Sequence, residues 1–119
     1  MQVIRGAINS ENTKEDIIGN TKKLMLSIAE KNNLKPKEVS LIMTTCTNDL
    51  TKSYPGDGIR QAGFDVPIIC VQEQYVENSL PKTIRLVVLC EIDRPISHVY
   101  IGKTADLRKD LFSNYDNNN

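Results

Sequence analysis

Arg85 lies inside an apolar run, TIRLVVLC at 83–90, where a strand core would ordinarily place another aliphatic side chain. Strand residues alternate between faces, so Arg85 shares a face with Thr83, Val87 and Leu89, while Ile84, Leu86, Val88 and Cys90 take the other. A guanidinium on a covered face needs an anionic partner, because burying it unpaired is costly. Two sources fit: a protein carboxylate, with Glu73 just upstream, or a ligand carboxylate. Arg5 interrupts a second β-branched run, QVIRGAI at 2–8, in the same way. The chain holds ten lysines, scattered through polar segments, and five arginines. Arginine supplies the planar fork that suits carboxylates, so two of five arginines inside strand-like runs mark a candidate site. Around them stand Cys70, Glu73, Tyr54, Arg60 and Tyr100. No serine elbow, Ser/His/Asp set, GxGxxG, P-loop or HExxH occurs. Arginines, one glutamate, a thiol and two tyrosines suit a small polycarboxylate, and a reaction driven by positioning and charge stabilisation without proton transfer.

Each of these residues also has a plainer reading. Arg5 taken alone is an outward-facing residue of a half-exposed strand. Tyr54 and Arg60 taken alone are loop packing and a solvated helix face. His98, the single histidine, has no second histidine or cysteine at ligand spacing and is read as structural, with no metal site.

The elements that must position these groups follow from the pattern. A strand at 2–8 leads through a polar turn to a helix over 13–31, with Thr13 as cap, Glu15 and Asp16 in the first turn, and Ile17, Thr21, Leu24 and Ile28 on one face. Asn32, Asn33 and Pro36 end it. A strand at 39–45 precedes a long turn-rich loop, CTNDLTKSYPGDG, and a short helix with Ser53 or Tyr54 near its cap, Pro55 in its first turn and Gly63 as its stop. Two strand-like runs then flank a polar loop between Val66 and Glu91. A turn at 93–95, a short strand at 98–101 and a brief helical pattern from Thr104 to Leu111 follow. The NYDNNN end has the composition of a disordered tail. The order predicts one α/β domain over residues 1–112, a mixed sheet covered on one face by the long helix, with a tail at 113–119. The face carrying Arg85 needs another cover, and in a chain this small a second subunit is one.

At 119 residues the chain is large enough for a single core. Fifteen basic and fifteen acidic residues cancel, the pI is near 6.6, and no basic run interleaves with aromatics, which argues against a nucleic-acid partner. Cys46, Cys70 and Cys90 form no CxxC and no even-numbered framework, so they read as reduced thiols of a cytosolic protein. The N-terminus has no apolar signal region, and no apolar run reaches a membrane span.

Five stretches in order, IRGA at 4–7, YPGDGIR at 54–60, CVQE at 70–73, TIRLVV at 83–88 and HVYIGKTADLRKDL at 98–111, resemble the monofunctional chorismate mutases of the AroH class. The resemblance covers nearly the whole chain. It implies a cofactor-free cytoplasmic isomerase that converts chorismate to prephenate by a Claisen rearrangement, on the branch to phenylalanine and tyrosine. It also implies a homotrimer, a pseudo-α/β-barrel with active sites between subunits. By the same resemblance, Arg85 faces the breaking ether oxygen and a carboxylate, Arg5 holds a carboxylate or that oxygen, and Tyr100 meets a carboxylate. Glu73 and Cys70 bond the ring hydroxyl, and the backbone through Ile69, Cys70, Val71, Gln72 and Glu73 runs along the substrate. Tyr54, Gly56, Asp57 and Arg60 line the mouth from the next subunit, and Leu107 and Arg108 belong to a C-terminal flap.

Two positions depart from the family pattern. Asp57 stands where a lysine can occur, which lowers the positive field at the mouth, and Ile69 stands where a threonine can occur. Two rival readings use the same arginines: a trimeric enamine or imine deaminase of the RidA type, whose spacing fits CVQE and TIRLVV poorly, and a non-catalytic carboxylate-binding trimer.

Overall fold

A computed structural model describes residues 1–108, with side chains to residue 105. Five strands, β1 (Gln2–Asn9), β2 (Val39–Cys46), β3 (Ile68–Gln72), β4 (Thr83–Cys90) and β5 (Val99–Tyr100), form one sheet in the order β3-β2-β4-β1-β5. β4 runs antiparallel to both β1 and β2, whereas β3 is parallel to β2 and β5 parallel to β1. The expected mixed α/β sheet is present, with β4 at its centre.

Helix α1 (Lys14–Asn32) covers one face. Thr13 Oγ1 accepts a hydrogen bond from the Asp16 N–H at 3.0 Å, satisfying one of the otherwise unpaired donors of the first turn. Asn33, with φ of 47°, ends the helix in the left-handed region. Ile17, Thr21, Leu24, Met25 and Ile28 are buried, and the four apolar ones pack with Ile4, Ile8, Ile42, Ile84, Leu86 and Val88 of the sheet. Gly6 lets the two layers meet: a Cβ there would lie 2.8 Å from the Val99 carbonyl oxygen and 3.0 Å from Ile28 Cδ1.

The short helix α2 (Gly56–Gln61) packs across α1. Gly58 makes this possible, since a Cβ at that position would lie 2.5 Å from the Ile18 carbonyl oxygen. Pro55 occupies the N-cap position without a side-chain cap, so neither Ser53 nor Tyr54 caps the helix and Pro55 lies one residue before its first turn. Its fixed φ, here −60°, already suits helical entry. The loop between β2 and α2 is tied down by Asn12, whose Oδ1 accepts from the Thr51 and Lys52 N–H groups. Asp49 in turn accepts from the Lys82 N–H, which joins this loop to the start of β4.

The final helical segment is a 3-10 helix over Gly102–Arg108, beginning two residues before the expected Thr104. Thr104 Oγ1 donates to the Ala7 carbonyl at 3.0 Å, and this bond anchors the segment on β1. The Leu107 and Arg108 side chains, residues 109–111 of the expected helix, the domain end at 112 and the tail at 113–119 lie outside the described residues.

Opposite α1, the second face of the sheet has no cover within the described residues. It carries Val3, Ile69 and Val71, each at least 40% exposed, and the partly exposed Leu41, Met43, Val87 and Leu89. A contiguous apolar surface of this kind marks an interaction face.

Candidate active site

Strand register places the candidate residues more sharply than spacing does. Across the sheet, Val71, Thr45, Arg85, Ala7 and Tyr100 are successive Cα partners and form one row on the face that α1 leaves open. Arg5 lies on the same face, paired with Val87 and diagonal to Arg85. Diagonal neighbours on one face stand roughly 7–8 Å apart at Cα, within reach of two long side chains converging on one ligand.

Glu73 lies just past the end of β3, and its carboxylate turns back over this row. Arg85 Nε donates to Glu73 Oε1 at 2.9 Å, and Thr45 Oγ1 donates to the same oxygen at 2.9 Å. The partner expected for Arg85 is therefore Glu73. The Glu73 side chain is 15% exposed and that of Arg85 38%, so the carboxylate is the more sheltered member. Only Nε of the guanidinium is engaged; among the described residues its terminal nitrogens have no hydrogen-bond partner, and Glu73 Oε2 has none either. The pair is thus neutralised while keeping donors and an acceptor for a ligand.

His98 supports Arg5 directly. Its Nδ1 accepts the Arg5 backbone N–H at 2.9 Å, which is the structural role expected of it and fixes the backbone of β1 at this position. Tyr100 follows two residues later, next to Ala7.

Cys70 does not join this group within one chain. Its register partner is the buried Thr44, so it points to the opposite side of the sheet, where a Cβ on Gly56 would lie 3.4 Å from its Sγ. Arg60 Nη1 lies 3.8 Å from that same Cβ position and 3.8 Å from Asp57 Oδ1. Asp57 and Arg60 thus form a long, half-exposed ion pair. Cys70, Tyr54 and Asp57 line a cleft of about 640 Å³ whose walls also include Lys14, Thr44, Cys46 and Lys52. Tyr54 is 72% exposed at its rim. Burial pushes the Cys46 thiol up, and Cys70 and Glu73 add repulsion to its thiolate. The three cysteines are free thiols.

The candidate residues therefore fall into two groups: Arg5, Glu73, Arg85 and Tyr100 on the open face, and Tyr54, Asp57 and Cys70 at the cleft with Gly56 and Arg60 beside Cys70. Ile69 and Val71 side chains lie with the first, on the apolar part of the open face, although Val71 also lines the cleft, and Gln72 lies with the second. Thr45 is the residue that spacing did not single out. A threonine near the end of a strand carries no signal until the register sets it beside Arg85.

The fold and its polar pair define a class: small α/β proteins with one open, half-apolar sheet face that carries a guanidinium–carboxylate pair. The comparisons narrow it: residues 1–111 match the family model described as chorismate mutase type I, and the chain belongs to that family. It is 39% identical over 114 residues to the chorismate mutase AroH of Bacillus subtilis (strain 168), covering 91% of this chain and 90% of that relative. It is 38% identical over 116 residues to the chorismate mutase AroH of Thermus thermophilus, covering 92% and 95%. A solved structure of a chorismate mutase from Clostridium thermocellum superposes with a TM-score of 0.86 at 32% identity, covering 89% of this chain and 99% of that one. Among the described residues no helix is long and apolar enough to cross a membrane.

Proposed function

We infer that this protein is a chorismate mutase, an isomerase that rearranges chorismate to prephenate for phenylalanine and tyrosine synthesis in the cytoplasm. The observation that carries the mechanism is the Arg85–Glu73 pair, joined by a hydrogen bond from Nε to Oε1. In a Claisen rearrangement of this kind the carbon–oxygen bond lengthens before the new carbon–carbon bond forms. Negative charge grows on the ether oxygen and the ring becomes electron-poor. The terminal nitrogens of Arg85 and the second oxygen of Glu73 have no partner among the described residues; the nitrogens suit the ether oxygen, and the carboxylate oxygen suits the ring and its hydroxyl. Both interactions strengthen as charge separates, so they lower the barrier more than they stabilise bound substrate. Arg5 and Tyr100, on the same face, are suited to the substrate carboxylates, and fixing these holds the side chain over the ring.

The working unit in this reading is a homotrimer with sites between subunits. The uncovered sheet face supports it, as does the division of the candidate residues between two sides of one chain. Each site takes Arg5, Glu73, Arg85 and Tyr100 from one subunit and Tyr54, Gly56, Arg60 and Cys70 from the next, with Cys70 moved to the loop's half by its contact with Gly56. Leu107 and Arg108 would close the site as a flap. Family membership decides against the RidA-type alternative. Purified protein should consume chorismate and release prephenate without added metal, nucleotide or flavin, and unchanged chorismate would leave the non-catalytic carboxylate binder as the better reading. Sedimentation should give a trimer; a fully active stable monomer would overturn the shared sites.

A further inference from the structure

Glu73 lies beyond the last hydrogen-bonded residue of β3, so its carboxylate is placed by its side-chain bonds and not by the ladder. Among the described residues two such bonds exist, and both end on Oε1. An arginine and a carboxylate left to themselves tend to close a bidentate fork, two parallel N–H···O bonds. A fork would occupy Oε2 and a terminal nitrogen of Arg85 together, the two atoms the rearrangement needs free.

We propose that Thr45 is a positioning residue whose hydroxyl holds Glu73 Oε1 and so keeps the Arg85–Glu73 pair from saturating itself. Thr45 is fixed by β2, flanked by both neighbouring strands, and its register partners are Arg85 on one side and Val71 on the other. Its Oγ1 therefore approaches Oε1 from a strand that cannot follow the carboxylate if it turns. With both donors on Oε1, Oε2 is left without a hydrogen-bond partner among the described residues. The inference rests on the chorismate mutase reading for its kinetic consequence and on geometry alone for its structural one.

The test is Thr45→Val, which keeps the β-branch and removes the hydroxyl, with Thr45→Ser as the conservative partner. Thr45→Val should lower kcat about tenfold while KM moves less than about threefold, and Thr45→Ser should restore most of the rate. In a Glu73→Gln background, where no ionic fork can close, Thr45→Val should add little further loss. The reaction-independent readout is the set of Arg85 side-chain N–H resonances in protein labelled with 15N-arginine: the valine variant should show a terminal nitrogen newly held by hydrogen bonding. An Arg85 spectrum unchanged by Thr45→Val, or a loss not rescued by serine or undiminished in the Glu73→Gln background, overturns the proposal. If the wild type makes no prephenate, the functional reading fails while the spectrum still decides the clamp.

Discussion

Arg85 and Arg94 both pair with a glutamate, yet they differ in how many donors each has left. Arg94 follows β4 in the turn before β5, and its guanidinium is spread over four acceptors. Nη1 and Nη2 donate to the two carboxylate oxygens of Glu38, both at 3.2 Å, while Nε and Nη2 donate to the Asn32 carbonyl and Nη2 also reaches the Asn33 carbonyl at 2.8 Å. Those carbonyls belong to the C-terminal end of α1, where a cation is favoured by unpaired oxygens and by the helix dipole. Arg94 is therefore a clasp between the helix end, the turn before β2 and the turn after β4. Among the described residues Arg85 spends one donor and keeps the rest. The lesson is that an arginine–carboxylate pair reads as structure when its fork is full and as a site when it is held half open.

Removing the open pair should produce the largest effect. Arg85→Ala should cost about 10²–10³ in kcat, the usual scale for one preorganised donor, with little change in Tm. Arg85→Lys, which keeps the charge and loses the fork, should cost on the order of 2–4 kcal/mol of transition-state stabilisation. Near-normal turnover with only a weaker KM would reduce Arg85 to a substrate handle and shift charge stabilisation to Arg5.

The proposed sharing of each site between two subunits gives the next effect. Equal mixtures of Arg60→Ala and Arg85→Ala subunits, unfolded and reassembled together, should regain about a quarter of the clefts intact, because in the proposed trimer each cleft draws on two chains. No recovery in a steady-state assay would confine the site to one chain.

Breaking the closed pair should do the reverse of breaking the open one. Arg94→Ala should lower the urea midpoint and leave kcat unchanged, since it removes the partners of Asn32 and Asn33 far from Arg85. A drop in kcat at unchanged stability would remove the contrast between the two pairs.

The smallest effects are those of pH. The Arg94 hydrogen bond, and after it the Lys35 backbone N–H, hold the Glu38 carboxyl below its ordinary value of 4.5. That stabilisation is complete above the ordinary value and is lost as pH falls through the lower folded one. The acid limb of a stability profile should therefore flatten in Glu38→Gln. Turnover, by contrast, should stay nearly level from about pH 6 to 9, because no proton moves in the rearrangement. A limb that vanished in His98→Ala would give that imidazole a part beyond supporting β1.

Much of this was legible in the chain itself. The α1 face of Ile17, Thr21, Leu24 and Ile28, the Thr13 cap and the alternation around Arg85 depend on neighbours within a few residues, and they stand as expected. The division of Cys70 from Glu73, three positions apart, was not legible, because Glu73 lies off the strand and strand alternation says nothing about where it turns. Thr45 was invisible for a related reason: its partner is 28 residues away in sequence and is reached through a register that no local pattern encodes. Arg94 read only as a turn residue, since its acceptors lie on the far end of a helix 62 residues earlier.

The central place of β4 also sets the order in which this molecule can be built. β1 leaves the ribosome before the other strands of the sheet, but its neighbours there are β4 and β5, with Gln2 opposite Cys90. At about 5–20 residues per second, β1 waits on the order of ten seconds for a partner, and until then only β2 and β3 can pair with each other. Contacts so distant in sequence make closure of the sheet the slow event. The strand that carries Arg85 is thus also the piece whose arrival turns an open, aggregation-prone nascent chain into a sheet.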